Sequence, residues 1–134
     1  MAVTIAKESP VGLDLTLLFT RHTADMHADT PPESIHMMDA AQLCAPGIWF
    51  FVMREEGRPI AMGAFKRIDA THAEIKSMHV LAENRGRGLS KRMLDHLIAE
   101  ARVDGIRRLS LETGVQPTFI AARALYAKAG FVVC

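Results

Sequence analysis

The chain is short of cysteine, tyrosine, tryptophan and net charge, and each shortage removes a class of function. Two cysteines, Cys44 and Cys134, in 134 residues make neither a disulfide framework nor a zinc pattern. They read as reduced thiols in a cytoplasmic protein. No apolar run approaches the roughly 18 residues of a membrane span. The N-terminus lacks a charged segment followed by an apolar one, so no secretory signal is expected. The nearest candidate, "VGLDLTLLFT" at 11 to 20, is interrupted by Asp14. A formal net charge of +1 speaks against a general nucleic-acid binder, and no aromatic stacking set accompanies the arginines. The six histidines are dispersed along the chain, and no metal site is expected from them. Hydrophobic residues at 49% and charged residues at 23% predict a packed core, and the length suits one domain over 1 to 134.

Apolar spacing predicts the elements. "AVTIAK", 2 to 7, alternates as an edge strand. Leu15, Leu18, Phe19 and Met26 share a helix face within 11 to 28. A second short helix is expected over 33 to 43, stopped by "APG". Strands follow at 48 to 53 and 60 to 68, joined by a turn in which Gly57 takes positive φ. A third long strand spans 73 to 80, with Glu74, Lys76 and Met78 expected on one face. Leu89, Met93, Leu97, Ile98 and Ala101 then repeat at helical spacing up to Gly105. A strand at 107 to 113, a helix at 118 to 129 and a strand from Phe131 complete an α/β (α+β) chain with a mixed sheet of about six strands. The chain ends four residues into that last strand. Two readings follow: the domain stops short of its last C-terminal strand, or a partner supplies it.

"AENRGRGLSKRML", 82 to 94, carries the chemistry. A strand runs into a glycine turn that opens a helix. Amides converge at such a turn, and the positive end of the helix dipole adds to them, which suits a phosphate. The dinucleotide fingerprint fails, because Lys91 stands where its third glycine belongs, and no P-loop pattern is present. A phosphate cradle and an ordinary solvated turn remain open from this stretch alone.

The wider context resembles the GNAT superfamily of acyl-CoA-dependent N-acetyltransferases. Its signature turn, Q/R-x-x-G-x-G/A, reads here Arg85-Gly86-Arg87-Gly88-Leu89-Ser90, with Ser90 in place of the last small residue; Arg85 sits at the third position before Gly88. Its later L-Y-x-K-x-G-F is matched by Leu125, Tyr126, Lys128, Gly130 and Phe131. An Asn often found six residues before that Leu is replaced by Phe119, which changes a contact to the cofactor. The resemblance implies the GNAT fold, with fourth and fifth strands splayed around acetyl-CoA, used as co-substrate without a metal. The pyrophosphate would sit on amides of Arg87, Gly88, Leu89 and Ser90, with Arg85 and Gly86 completing the turn. Pantetheine would run along Met78, His79 and Val80, and Lys91 and Arg92 would reach outer phosphates.

Acetyl transfer to an amine needs a neutral amine, an oxyanion donor and a proton for the leaving thiolate. An unperturbed amine with pKa ~10.4 is neutral about once in a few thousand molecules at pH 7, so a carboxylate base is useful. Tyr126, the single tyrosine, matches the family's usual general acid. Glu74, eleven residues before Arg85, matches the catalytic glutamate of members that use one. Glu112 is the second candidate base. An amide near His79 or Val80 would serve the oxyanion. The acceptor site would draw on 27 to 38, with Glu33, His36, Met37 and Met38 as lining. The implied reaction is direct attack by a small-molecule amine, a protein lysine or an N-terminus in a ternary complex. An acetyl-CoA-binding regulator with little turnover is the other outcome. Dimers are common in the family; neither nucleic acid nor membrane is an expected partner.

Overall fold

In the computed structural model, residues 3–29 and 40–111 are described. The elements are β1 (Val3–Lys7), α1 (Thr16–Asp29), β2 (Ile48–Glu55), β3 (Arg58–Arg67), β4 (His72–Val80), α2 (Leu89–Val103) and β5 (Arg108–Ser110). They form a five-stranded sheet in the order β1-β2-β3-β4-β5. The first four strands are antiparallel to their neighbours, and β5 lies parallel to β4. The expected strands are thus found in order up to β5, with helices at α1 and α2. The expected helix at 118 to 129 and the strand from Phe131 lie outside the described residues. So does most of the expected helix at 33 to 43, whose described end is a short 3-10 turn, Gln42–Cys44.

Local chemistry explains the hairpin. Glu55 pairs with Arg58, and Glu56 and Gly57 between them take φ +50 and +80. Two left-handed residues make the turn whose twist matches the flanking strands. Pro59 has no N–H to donate, and the register slips beside it, between Met53 and Arg54 on the partner strand. The helix α2 stops where Gly105 takes φ +83. The Ile106 amide then reaches back to the Ala101 carbonyl at 2.9 Å while its side chain is buried, a Schellman-type stop.

The central strands are apolar on both faces because a helix covers each face. Phe51, Met53, Phe65, Ile75 and Val80 meet Met93, Leu94 and Leu97 of α2. Phe50, Val52, Met62 and Ala64 meet Leu15 and Leu18 on the α1 side. Consecutive residues such as Phe50 and Phe51 thereby go to opposite cores, as a strand requires. Gly63 lets α2 approach: a Cβ there would lie 3.0 Å from the Met93 Cγ and 3.2 Å from the Leu97 Cδ1.

Candidate active site

The strand β4 does not keep simple alternation. On β3, Met62 pairs with His79 and Ala64 with Lys76, so the single Gly63 stands opposite both Ser77 and Met78. That is a β-bulge, and Ser77 carries it in a left-handed conformation at φ +55. A non-glycine residue held there costs about 1–2 kcal/mol, and such strain collects at functional sites. The bulge corrects one expectation. Glu74 and Lys76 share the α1 face, but the extra residue turns Met78 away from them to pack with the α2 core. His79 takes its place on the α1 face, where its ring meets His22 of α1 edge-on at 5.2 Å. Beyond the bulge the Ser77 hydroxyl is buried without a hydrogen-bond partner among the described residues. β5 pairs only with His72, Ala73 and Glu74. From Ile75 onward β4 therefore has no partner strand on that side among the described residues. An extended ligand could add itself there as a strand does.

The chain leaves β4 through a 3-10 turn, Ala82–Asn84, and enters the Arg/Gly stretch. Gly86 and Gly88 take φ +81 and +74, and a Cβ at either would meet no atom of the described residues within 4 Å. Among the described residues, glycine is therefore required by backbone conformation and not by crowding. Gly88 caps α2 with no side-chain cap, and the first helical bond runs from the Arg92 amide to the Gly88 carbonyl at 3.2 Å. The amides of Leu89, Ser90 and Lys91 precede that bond. They are the orphan donors every helix start presents, at the positive end of its dipole.

The cationic side chains around this turn are largely engaged by the protein. Arg85 Nε donates to the Val80 carbonyl at 3.0 Å, tying the turn to the end of β4. Arg87 forks onto both carboxylate oxygens of Glu55, at 3.2 Å from Nη1 to Oε1 and through Nη2 to Oε2. The Arg87 guanidinium holds the Glu55 carboxyl below the usual glutamate range, against the opposing push of burial. Lys91 pairs with Asp95 at 2.7 Å along the exposed side of α2. Glu83 is joined to Arg21 of α1 at 2.5 Å, so the turn is also tethered to the other helix.

Of the candidate catalytic groups, Glu74 lies in the described residues. It is half-buried on β4 and paired with Lys76. Tyr126, Glu112 and Phe119 lie outside the described residues, as do Glu33, His36, Met37 and Met38. The structure brings together Met78, His79, Val80, Arg85, Gly86, Arg87, Gly88, Leu89, Ser90 and Lys91 at the exit of β4 and the start of α2. Two residues escaped the sequence reading. Glu55 belongs to "REEGRP", which reads as a polar turn, and nothing local announces its partner 32 residues away. His22 did leave a signal: it follows Leu15 and Leu18 at helical spacing, on the face that α1 buries.

The fold is that of a putative acyl-CoA N-acyltransferase from Klebsiella pneumoniae, which superposes with a TM-score of 0.76 at 24% identity, over 97% of this chain and 83% of that one. The sequence pattern of the acetyltransferase (GNAT) family matches residues 17–131, and the chain belongs to that family. It is 40% identical over 92% of its length to an uncharacterized N-acetyltransferase, YsnE, of Bacillus subtilis, covering 82% of that protein. It is 38% identical over 96% of its length to an IAA acetyltransferase of Azospirillum brasilense, covering 84% of it. A predicted acetyltransferase from Clostridium acetobutylicum, crystallised with acetyl-CoA, superposes with a TM-score of 0.71 at 21% identity, over 99% of this chain and 92% of that one. The protein is an acetyltransferase enzyme.

Proposed function

We propose that the chain moves an acetyl group from acetyl-CoA to a primary amine by direct attack in a ternary complex. The observation that carries this is the uncapped start of α2. Two left-handed glycines lead into α2, whose first amides, of Leu89, Ser90 and Lys91, have no helical acceptor, shortly after the end of the bulged strand β4. A pyrophosphate needs such amides, and pantetheine needs the open edge of β4 beside Met78, His79 and Val80. The known acetyl-CoA complex of the Clostridium relative supports the choice of ligand. The residues present fit acetyl-CoA: among the described residues no side chain blocks Gly86 or Gly88, and Arg85 and Arg87 each hydrogen-bond back to the protein.

Bound acetyl-CoA would supply the activated acyl group and the thiolate leaving group. The residues then have separate tasks. An amide freed at the bulge near His79 stabilises the oxyanion. Tyr126 returns a proton to the departing sulfur. Glu74 or Glu112 takes the proton from the amine, directly or through water. Glu74 must exchange its bond to Lys76 to do so, which makes the Glu112 route a direct competitor. Glu33 and His36 line the acceptor side, and cytoplasmic amines are the substrate pool.

The test is release of free thiol from acetyl-CoA with a pooled panel of amines, and with IAA because of the Azospirillum relative's name. Turnover on an amine supports the transferase. Binding of acetyl-CoA with no turnover on any acceptor would favour a regulatory module, a reading kept open by the Glu74–Lys76 pair.

A further inference from the structure

Among the described residues the Gly86–Gly88 turn has almost no packing of its own: residues 85 to 88 are all exposed, and a Cβ at either glycine would meet nothing within 4 Å. Glycine brings the largest conformational entropy of any residue, so a turn with two of them needs outside restraint to hold one shape. Arg87 sits between the two glycines, and its side chain provides that restraint. Its guanidinium leaves the turn and closes a two-point fork on Glu55, at the end of β2.

Glu55 is an unusual place for a carboxylate. The residue is 3% exposed and lies among the core strands. Among the described residues no other side chain hydrogen-bonds it, so Arg87 is what compensates its burial. The fork is planar and rigid, which fixes direction as well as distance. Holding Arg87 in this way holds the peptide planes on both of its sides, which carry the amides of Arg87 and Gly88. The charge of Arg87 is also spent on the protein. What this residue leaves for an incoming anion is its backbone amide.

We propose that Glu55 is a positioning residue for acetyl-CoA: it anchors Arg87 and thereby fixes the turn in its amide-presenting shape. This rests on the reading that the turn binds the cofactor's pyrophosphate. Glu55 itself touches neither cofactor nor acceptor. Without it the turn samples many conformations, and the cofactor must re-fix two or more residues on binding. That weakens affinity on the order of tenfold to a hundredfold.

The experiment compares wild type with Glu55→Gln, Arg87→Lys and, as a control, Asp104→Asn. Asp104 pairs with Arg67 at the far end of α2, with its carboxylate more exposed than that of Glu55, so its loss lowers stability without touching the turn. Hydrogen exchange at the amides of residues 86 to 90 reads the brace, and calorimetric titration with acetyl-CoA reads its effect. The expected result for Glu55→Gln is faster exchange confined to the turn and weaker acetyl-CoA binding. Arg87→Lys keeps the charge and loses the fork, so it should fall between. Asp104→Asn should lower the melting temperature with acetyl-CoA affinity kept. Unchanged exchange in Glu55→Gln, or equal loss of affinity in Asp104→Asn, overturns the proposal. Faster exchange at the turn in a protein whose wild type does not bind acetyl-CoA would show a real brace with the cofactor reading wrong, and the role assigned to Glu55 would fall.

Discussion

Replacing Gly88 separates two reasons for a glycine at the helix start. The first is conformation: Gly88 sits at φ +74. The second is crowding, and here the structure is specific, because among the described residues a Cβ at Gly88 would meet nothing within 4 Å. The cost of Gly88→Ala is therefore the left-handed penalty alone, about 1–2 kcal/mol. For a domain of this size that lowers the melting temperature by about 3–10 °C. Asn tolerates the left-handed region and should cost less than Ala, while β-branched Val should cost more. Thermal unfolding followed by circular dichroism orders the three variants. The order Asn, Ala, Val in increasing loss supports a backbone requirement. A loss well above 4 kcal/mol for Ala, or equal losses for Asn and Val, would refute it and imply a contact the geometry does not contain.

Other outcomes follow from the same structure. Gly63→Val pushes a branched side chain against Met93 and Leu97, and should destabilise the fold by about 1–3 kcal/mol in a urea titration. Arg87 depresses the Glu55 pKa from its ordinary 4.5, so the brace contributes fully above that value. It is lost as pH falls through the lowered value, and protection at residues 86 to 90, measured against the intrinsic exchange rate at each pH, should drop only there; a drop in protection near neutral pH would contradict this. Tyr126→Phe should keep acetyl-CoA affinity and lose rate, read from kcat at saturating acetyl-CoA; loss of affinity would instead make Tyr126 structural.

Much of the frame was legible along the chain because it rests on local rules. Alternation and turn chemistry located β2, β3 and their hairpin, and Gly57 has the positive φ its turn demands. Helical spacing located α2, and Gly105 its end. The Arg/Gly turn declared itself through composition. What stayed hidden depends on pairing between distant strands. Nothing in "EIKSMHV" announces that Ser77 will bulge opposite Gly63, yet that one extra residue decides which of Met78 and His79 joins Glu74. The partners of the arginines were hidden for the same reason: Arg87 pairs with Glu55, and Arg85 donates to the Val80 carbonyl. Charge along a sequence shows that a cation is present; only the fold shows what it is paired with.

Calorimetric titration of acetyl-CoA into wild type and Gly88→Glu tests most directly whether the start of α2 cradles the cofactor on its amides. The glutamate adds bulk and negative charge at the turn, beside the orphan amides. Wild type should bind saturably and the variant not at all, with the variant still folded by circular dichroism. Equal binding by both proteins would place the cofactor elsewhere and contradict a cradle at the start of α2.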